Sequence, residues 1–148
     1  MQKLLLGIGV GILLSLAWAQ SPGFGVYSGY PEWIGVQYQD GSSNLRFGLG
    51  FGFDGLGGSA DLFLGKMPLP AAGIDLAWYY GLGAGLGLSS GGGILVFPHG
   101  LVGVEWAGPA PGFKVYLEAQ AGVSITWAGM NIANFLPGFA GRLGVIFR

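Results

Sequence analysis

Residues 87–91 read Gly-Leu-Ser-Ser-Gly, the G-x-S-x-G spacing of a hydrolase nucleophile, and His99 and Glu105 follow downstream on one strand face. Such a serine needs a strand, a sharp turn and a helix to present its hydroxyl, and Gly92-Gly93 begin no helix. Distance objects as well. If residues 88–94 close a hairpin, His99 falls opposite Gly83, about six strand residues from Ser89, or roughly 20 Å at about 3.3 Å per residue. A nucleophile and its base must be within hydrogen-bond reach. Residues 50–55, Gly-Phe-Gly-Phe-Asp-Gly, have the G-x-G-x-x-G spacing of a dinucleotide loop, which holds pyrophosphate on a helix N-terminus. Leu56-Gly57-Gly58 cannot start that helix. Residues 40–44, Asp-Gly-Ser-Ser-Asn, carry calcium-type oxygens but end before the distal glutamate of a calcium loop; their composition reads as a turn. His99 is the single histidine and there is no cysteine. We therefore read no catalytic, cofactor-binding or metal-ligating residue from the sequence. The chemistry that remains is charge: Arg46, Asp61, Asp75, Glu105, Lys114, Glu118 and Arg142.

Residues 112–127 show what positions these charges. From Phe113 the odd positions are Phe113, Val115, Leu117, Ala119, Ala121, Val123, Ile125 and Trp127, all apolar. The even positions, Lys114 to Thr126, are polar or small. Successive strand side chains point to opposite faces, so a strand here has one apolar and one polar face. A helix would scatter the apolar set, and Val, Ile, Thr and Gly form helices weakly. The stretch exceeds the usual strand of about 5–6 residues and reaches the roughly 9–11 that a tilted strand needs to cross a bilayer.

The rest of the chain repeats the pattern. Expected strands cover residues 24–30, 33–39, 45–53, 59–66, 74–88, 94–106, 113–127 and 138–148, which makes eight, or seven if 24–39 is one bent strand. Between them, Pro68 and Pro70 make residues 67–73 a loop, because a central strand cannot absorb them, and residues 128–137, with Pro137, form the longest loop. Residues 76–104 and 119–141 carry no charge, which a membrane helix would also explain; but Gly81, Gly83, Gly85 and Gly87 weaken a helix in the first, and Gln120, Asn131, Asn134 and Pro137 suit a turn in the second. In the hairpin closed by residues 107–112, Trp106 should face Phe113 and Glu105 should stand opposite Lys114.

Residues 1–19 read as a secretory leader: Lys3, an apolar run over 4–16, then Ala17-Trp18-Ala19, with cleavage expected between Ala19 and Gln20. Residues 20–148 are then one domain. Charged residues are 9% of the chain and hydrophobic ones 51%, against roughly 25% charged in an ordinary soluble domain. So few charges cannot cover a water-facing surface. No cysteine means no disulfide framework, and six basic against seven acidic groups, unclustered, argue against nucleic acid.

The apolar faces recur almost unbroken, while the charges share the other face with Gly, Gln, Ser and Thr. Eight strands enclose only enough room for side chains. Apolar-out with polar-in is the membrane arrangement, in which closure pairs every backbone group. The reading is an all-β, antiparallel up-and-down transmembrane barrel. Its interior holds the seven charges named above, and Trp33, Trp106 and Trp127, at strand ends, form an aromatic girdle. Leader, alternating strands and the closing Gly-Arg-Leu-Gly-Val-Ile-Phe-Arg resemble the small outer-membrane barrels of the OmpA/OmpX type. The resemblance implies residence in the outer membrane of a two-membrane bacterium, with outer-membrane lipids and the barrel assembly machinery as partners. That machinery would read the aromatic Phe147, which Arg148 follows. Both termini would be periplasmic and the 128–137 loop external. The expected role is structural and non-enzymatic; a narrow channel for small ligands is the alternative, and a barrel-embedded lipid-modifying enzyme the third. Oligomeric state is left open.

Overall fold

The computed structural model describes residues 22–52, 55–71, 73–108, 110–129 and 131–148, without the side chains of Ala71 and Ala133. The expected leader with its Ala19–Gln20 junction, Phe53 at the end of an expected strand, and Asp54 after it lie outside these residues. The strands are β1 (Gly23–Ser28), β2 (Ile34–Gln39), β3 (Leu45–Phe51), β4 (Gly55–Ala71), β5 (Ile74–Ser89), β6 (Gly93–Ala107), β7 (Phe113–Ala128) and β8 (Asn131–Phe147). Each pairs antiparallel with its sequence neighbours, and β8 returns to β1, closing an up-and-down barrel. Residues 24–39 therefore make two strands, and the count is eight. No helix among the described residues is long and apolar enough to cross a membrane; the uncharged segments weighed as helices lie in β5–β8.

Register sets the shape. Val26, Val36, Leu49, Gly58, Leu86, Val96, Ile125 and Phe135 are successive cross-strand partners. The circle closes with Val26 against Val145 instead, ten residues farther along β8. Such a stagger tilts the strands and lets eight of them close around a core of side chains. The wall is uneven: β1–β3 are six or seven residues long, and β4–β8 fifteen to seventeen.

Two segments expected as loops are strand. Residues 67–71 belong to β4 and 131–137 to β8. β3 pairs with β4 only as far as Leu62, and β1 pairs with β8 only over Leu143 to Phe147. Past those points each strand has one edge without a ladder partner. Pro68 and Pro70, two residues apart, direct their missing N–H the same way, onto the open edge of β4, and Pro137 sits on the open part of β8. An open edge is where a strand tolerates proline. Pro98 lies inside β6, and there the ladder to β7 has no pairs at Phe97 and Pro98. The long loop expected over residues 128–137 thus reduces to a tight turn at Gly129, whose φ of 65° favours glycine.

The hairpin after β6 differs from expectation by two residues. Ala107 stands opposite Lys114, and Trp106 opposite Val115 rather than Phe113. An even shift preserves every face. Glu105 and Lys114 still both point inward, and Lys114 Nζ lies 2.6 Å from Glu105 Oε1 along the diagonal.

Candidate functional site: the barrel interior and its mouth

Inward side chains meet in two ion-paired groups. In the larger one, Asp61 on β4 accepts hydrogen bonds from Arg46 Nε (3.0 Å), Arg46 Nη2 (2.8 Å) and Arg142 Nη1 (2.6 Å). Glu118 on β7 accepts from Arg46 Nη2 at 2.7 Å, the Tyr79 hydroxyl at 3.0 Å and Gln120 at 2.7 Å. All four charged residues are at most 2% exposed. The register explains the meeting: Arg46 is the direct partner of Asp61 and Glu118 of Arg142. Each guanidinium also lies over aromatic rings, Arg46 over Phe63 and Tyr116 and Arg142 over Tyr27, at 4.8–5.0 Å.

Three tyrosines cap this network. Tyr27, Tyr79 and Tyr116 are buried, and the direct cross-strand partners of the three include Gly35, Gly103 and Gly144. A Cβ at Gly144 would stand 2.5 Å from the Tyr116 ring; glycine leaves the space that ring fills. The smaller ion group lies nearer the start of β1 and the end of β8, where Glu105 is bound by both Lys66 and Lys114.

Of the seven charges expected inside, six are there. Asp75 is the correction: it shares the inward parity of β5 but is exposed, because β4 and β5 project past the neighbouring strands and pair only with each other at Pro70 and Asp75. Trp33 and Trp127 stand at one end of the barrel and Trp106 at the other; Trp33 and Trp106 are exposed and Trp127 partly so.

Three interior residues were not anticipated. Lys66 is turned inward by a β-bulge, since Phe63 pairs with Gly81 and Gly65 with Tyr80, leaving Leu64 over and reversing the alternation. His99, read only as a failed catalytic candidate, stands opposite Gly83 as expected and binds the Phe97 carbonyl oxygen (2.9 Å) and Asp61 (3.2 Å) through its ring nitrogens. Glu32, between the expected strands 24–30 and 33–39, is fully buried. It arrives with the β1–β2 loop, residues 29–33, which folds into the barrel mouth. Pro31 packs toward Gly85 and Gly87, and Tyr30 meets the Phe97 ring edge-on at 5.2 Å. Neither Glu32 carboxylate oxygen has a hydrogen-bond partner among the described residues, and the nearest cation, Arg142 Nη2, is 3.9 Å away. Burial pushes the Glu32 carboxyl above the usual carboxylate range.

The other sequence candidates resolve as structure. Asp40 accepts from the hydroxyls of Ser43 and Ser42 and the Ser43 amide, which pulls its carboxyl down to about 2 and makes residues 40–44 a self-satisfied turn. Gly50 and Gly55 of the G-x-G-x-x-G spacing lie on adjacent strands. Among the described residues no three of His, Asp or Glu are grouped to hold a metal.

A half-open cavity of about 300 Å³ remains above the tucked loop, lined by Tyr30, Pro31, Leu95 and Trp127 among others. Compared with known proteins, the chain matches no protein-family model, no curated protein and no solved structure.

Proposed function

We propose that this protein is an integral outer-membrane barrel with a structural role in that membrane, of the same general kind as the small barrels it resembles. One observation carries the reading: the burial pattern is the reverse of a soluble domain's. Arg46, Asp61, Glu118 and Arg142 are sealed inside, while Phe24, Ile34, Leu49, Leu82, Leu117 and Phe139 are exposed on the outside. Hydrocarbon around the barrel would remove that apolar surface from water, and closure pairs the wall's backbone wherever ladders run on both sides, leaving only the outlying stretches of β4 and β8 with an open edge. The short β1–β3 side falls below the roughly 9–11 residues of a tilted span. There the exposed Trp33, just before β2, adds to the apolar surface.

The interior favours a structural role over conduction. A permeating ion would have to displace guanidinium–carboxylate pairs at 2.6–2.8 Å and the loop packed above them. Both His99 ring nitrogens are engaged, one with the Phe97 carbonyl oxygen and one with Asp61, which supports a non-enzymatic reading. Reconstitution of the full chain in planar bilayers tests this. We expect the protein to float with lipid through alkaline buffer and to show no steady open level. A reproducible unit conductance would move the reading to the channel.

A further inference from the structure

The mouth cavity plays no part in the structural role. At about 300 Å³ it is at the lower end of ligand pockets, which run about 300–1,000 Å³. Tyr30 and Pro31 lie on one side and the ends of β4–β7 on the others; among the described residues no charged one lines it. Leu56, Leu88 and Ile94 line it too, and the same three are exposed large hydrophobics, so apolar surface is continuous from the barrel's exterior over the rim into the cavity.

The geometry points to a binding site for an uncharged, unbranched alkyl chain that enters over the rim formed by Leu56, Leu88 and Ile94. Volume sets its length: at about 30 Å³ per water-sized group, the cavity holds a chain of roughly ten methylenes. Charge sets its head. Among the described residues the polar side-chain groups at the cavity are the hydroxyls of Tyr30, Ser89 and Thr126 and the Trp127 indole N–H; an ionised head would lose hydration there and gain no counter-charge from them. The space is also not needed for packing. A Cβ at Gly87 would meet Leu95 at 3.4 Å and Pro31 at 3.8 Å, ordinary contacts, so a side chain is allowed at this cavity-lining position. A barrel that failed to insert in a membrane would still carry this cavity, so the two proposals fail separately.

The alkyl chain has two possible sources, a free neutral amphiphile or an acyl chain of the surrounding bilayer. The absence of cysteine allows a clean test. Ser89→Cys places one thiol at the cavity, and Ser42→Cys places one in the exposed turn at the opposite end as control. The full chain carrying either is prepared in a lipid-free amphipathic polymer and in phosphatidylcholine vesicles, and maleimide labelling is timed against 1-decanol. At decanol ten times its Kd, labelling of Ser89→Cys should slow saturably by about tenfold, with Ser42→Cys unchanged. Adding Gly87→Leu, which fills the space, should abolish the response. Gly93→Ala, whose Cβ meets Ser89 and the Trp127 carbonyl at 3.6 Å, is the milder variant and should weaken it. A bilayer acyl chain as occupant predicts slow labelling in vesicles and fast labelling in polymer, the difference erased by Gly87→Leu. Labelling of Ser89→Cys that ignores both decanol and lipid, or that responds equally with Gly87→Leu present, overturns the site.

Discussion

Asp61 is the residue on which the interior depends most, since its carboxylate serves two guanidiniums and His99. Removing one partner of a buried ion pair leaves the others desolvated and uncompensated, at a cost of about 3–5 kcal/mol. Asp61→Asn should therefore lose about that much in urea unfolding from lipid vesicles, and a loss under about 1 kcal/mol would mean the network is not dry. Glu32 works the other way. Its carboxyl is raised by burial, so the fold disfavours the charged form. The residue costs nothing below its ordinary value of 4.5 and destabilises increasingly as pH rises above it. Glu32→Gln should accordingly be more stable than the wild type at pH 8, with the difference shrinking as pH falls through 4.5. A difference that does not change with pH would show that Glu32 is compensated after all. Arg46, Glu118 and Arg142 could be placed inside from alternation alone, because each sits in an uninterrupted pattern. Glu32 could not, because a loop that folds back into a barrel leaves no periodic signal.

At the level of strands, alternation was the legible quantity. β7 shows it over its whole length, and the eight-strand closed order follows from repeating it. The missed features are those that break the period. One extra residue at Leu64 reverses the faces of β4 and sends Lys66 inward. Proline reads as a loop only if both edges of the strand are paired, and the open edges of β4 and β8 are set by where their short neighbours β3 and β1 stop pairing, which the prolines' own surroundings do not show. Glycine also reads differently once pairing is known. Gly144 lies under the Tyr116 ring, whereas a Cβ at Gly141, three residues earlier on β8, would find only the Glu118 carbonyl at 3.8 Å. Gly144→Ala should thus cost about 1–3 kcal/mol by overpacking, and Gly141→Ala should stay within about 0.5 kcal/mol. Equal effects of the two in the same unfolding titration would mean that Tyr116 does not fill the lumen as described.

For the whole molecule the question is which solvent meets the outer face. Leu117, 64% exposed and flanked by Val104 and Leu143, lies on that face, one pair inward from Trp106 and Val115. If hydrocarbon surrounds it, Leu117→Arg should cost about 2–4 kcal/mol near the bilayer midplane, whereas on a water-facing barrel the same change would be nearly silent. The most direct measurement reads the solvent itself. Single nitroxides at Val115, Leu117 and Ala119, one per variant in reconstituted vesicles, are exposed in turn to oxygen, which concentrates in hydrocarbon, and to a water-soluble nickel complex. A nitroxide at Ser42, in the exposed turn, serves as the aqueous reference. An apolar face embedded in lipid gives strong oxygen collisions and weak nickel collisions at Leu117, with the opposite balance at Ser42. Nickel collisions at Leu117 as frequent as those at Ser42 would place the face in water and contradict a membrane-spanning barrel.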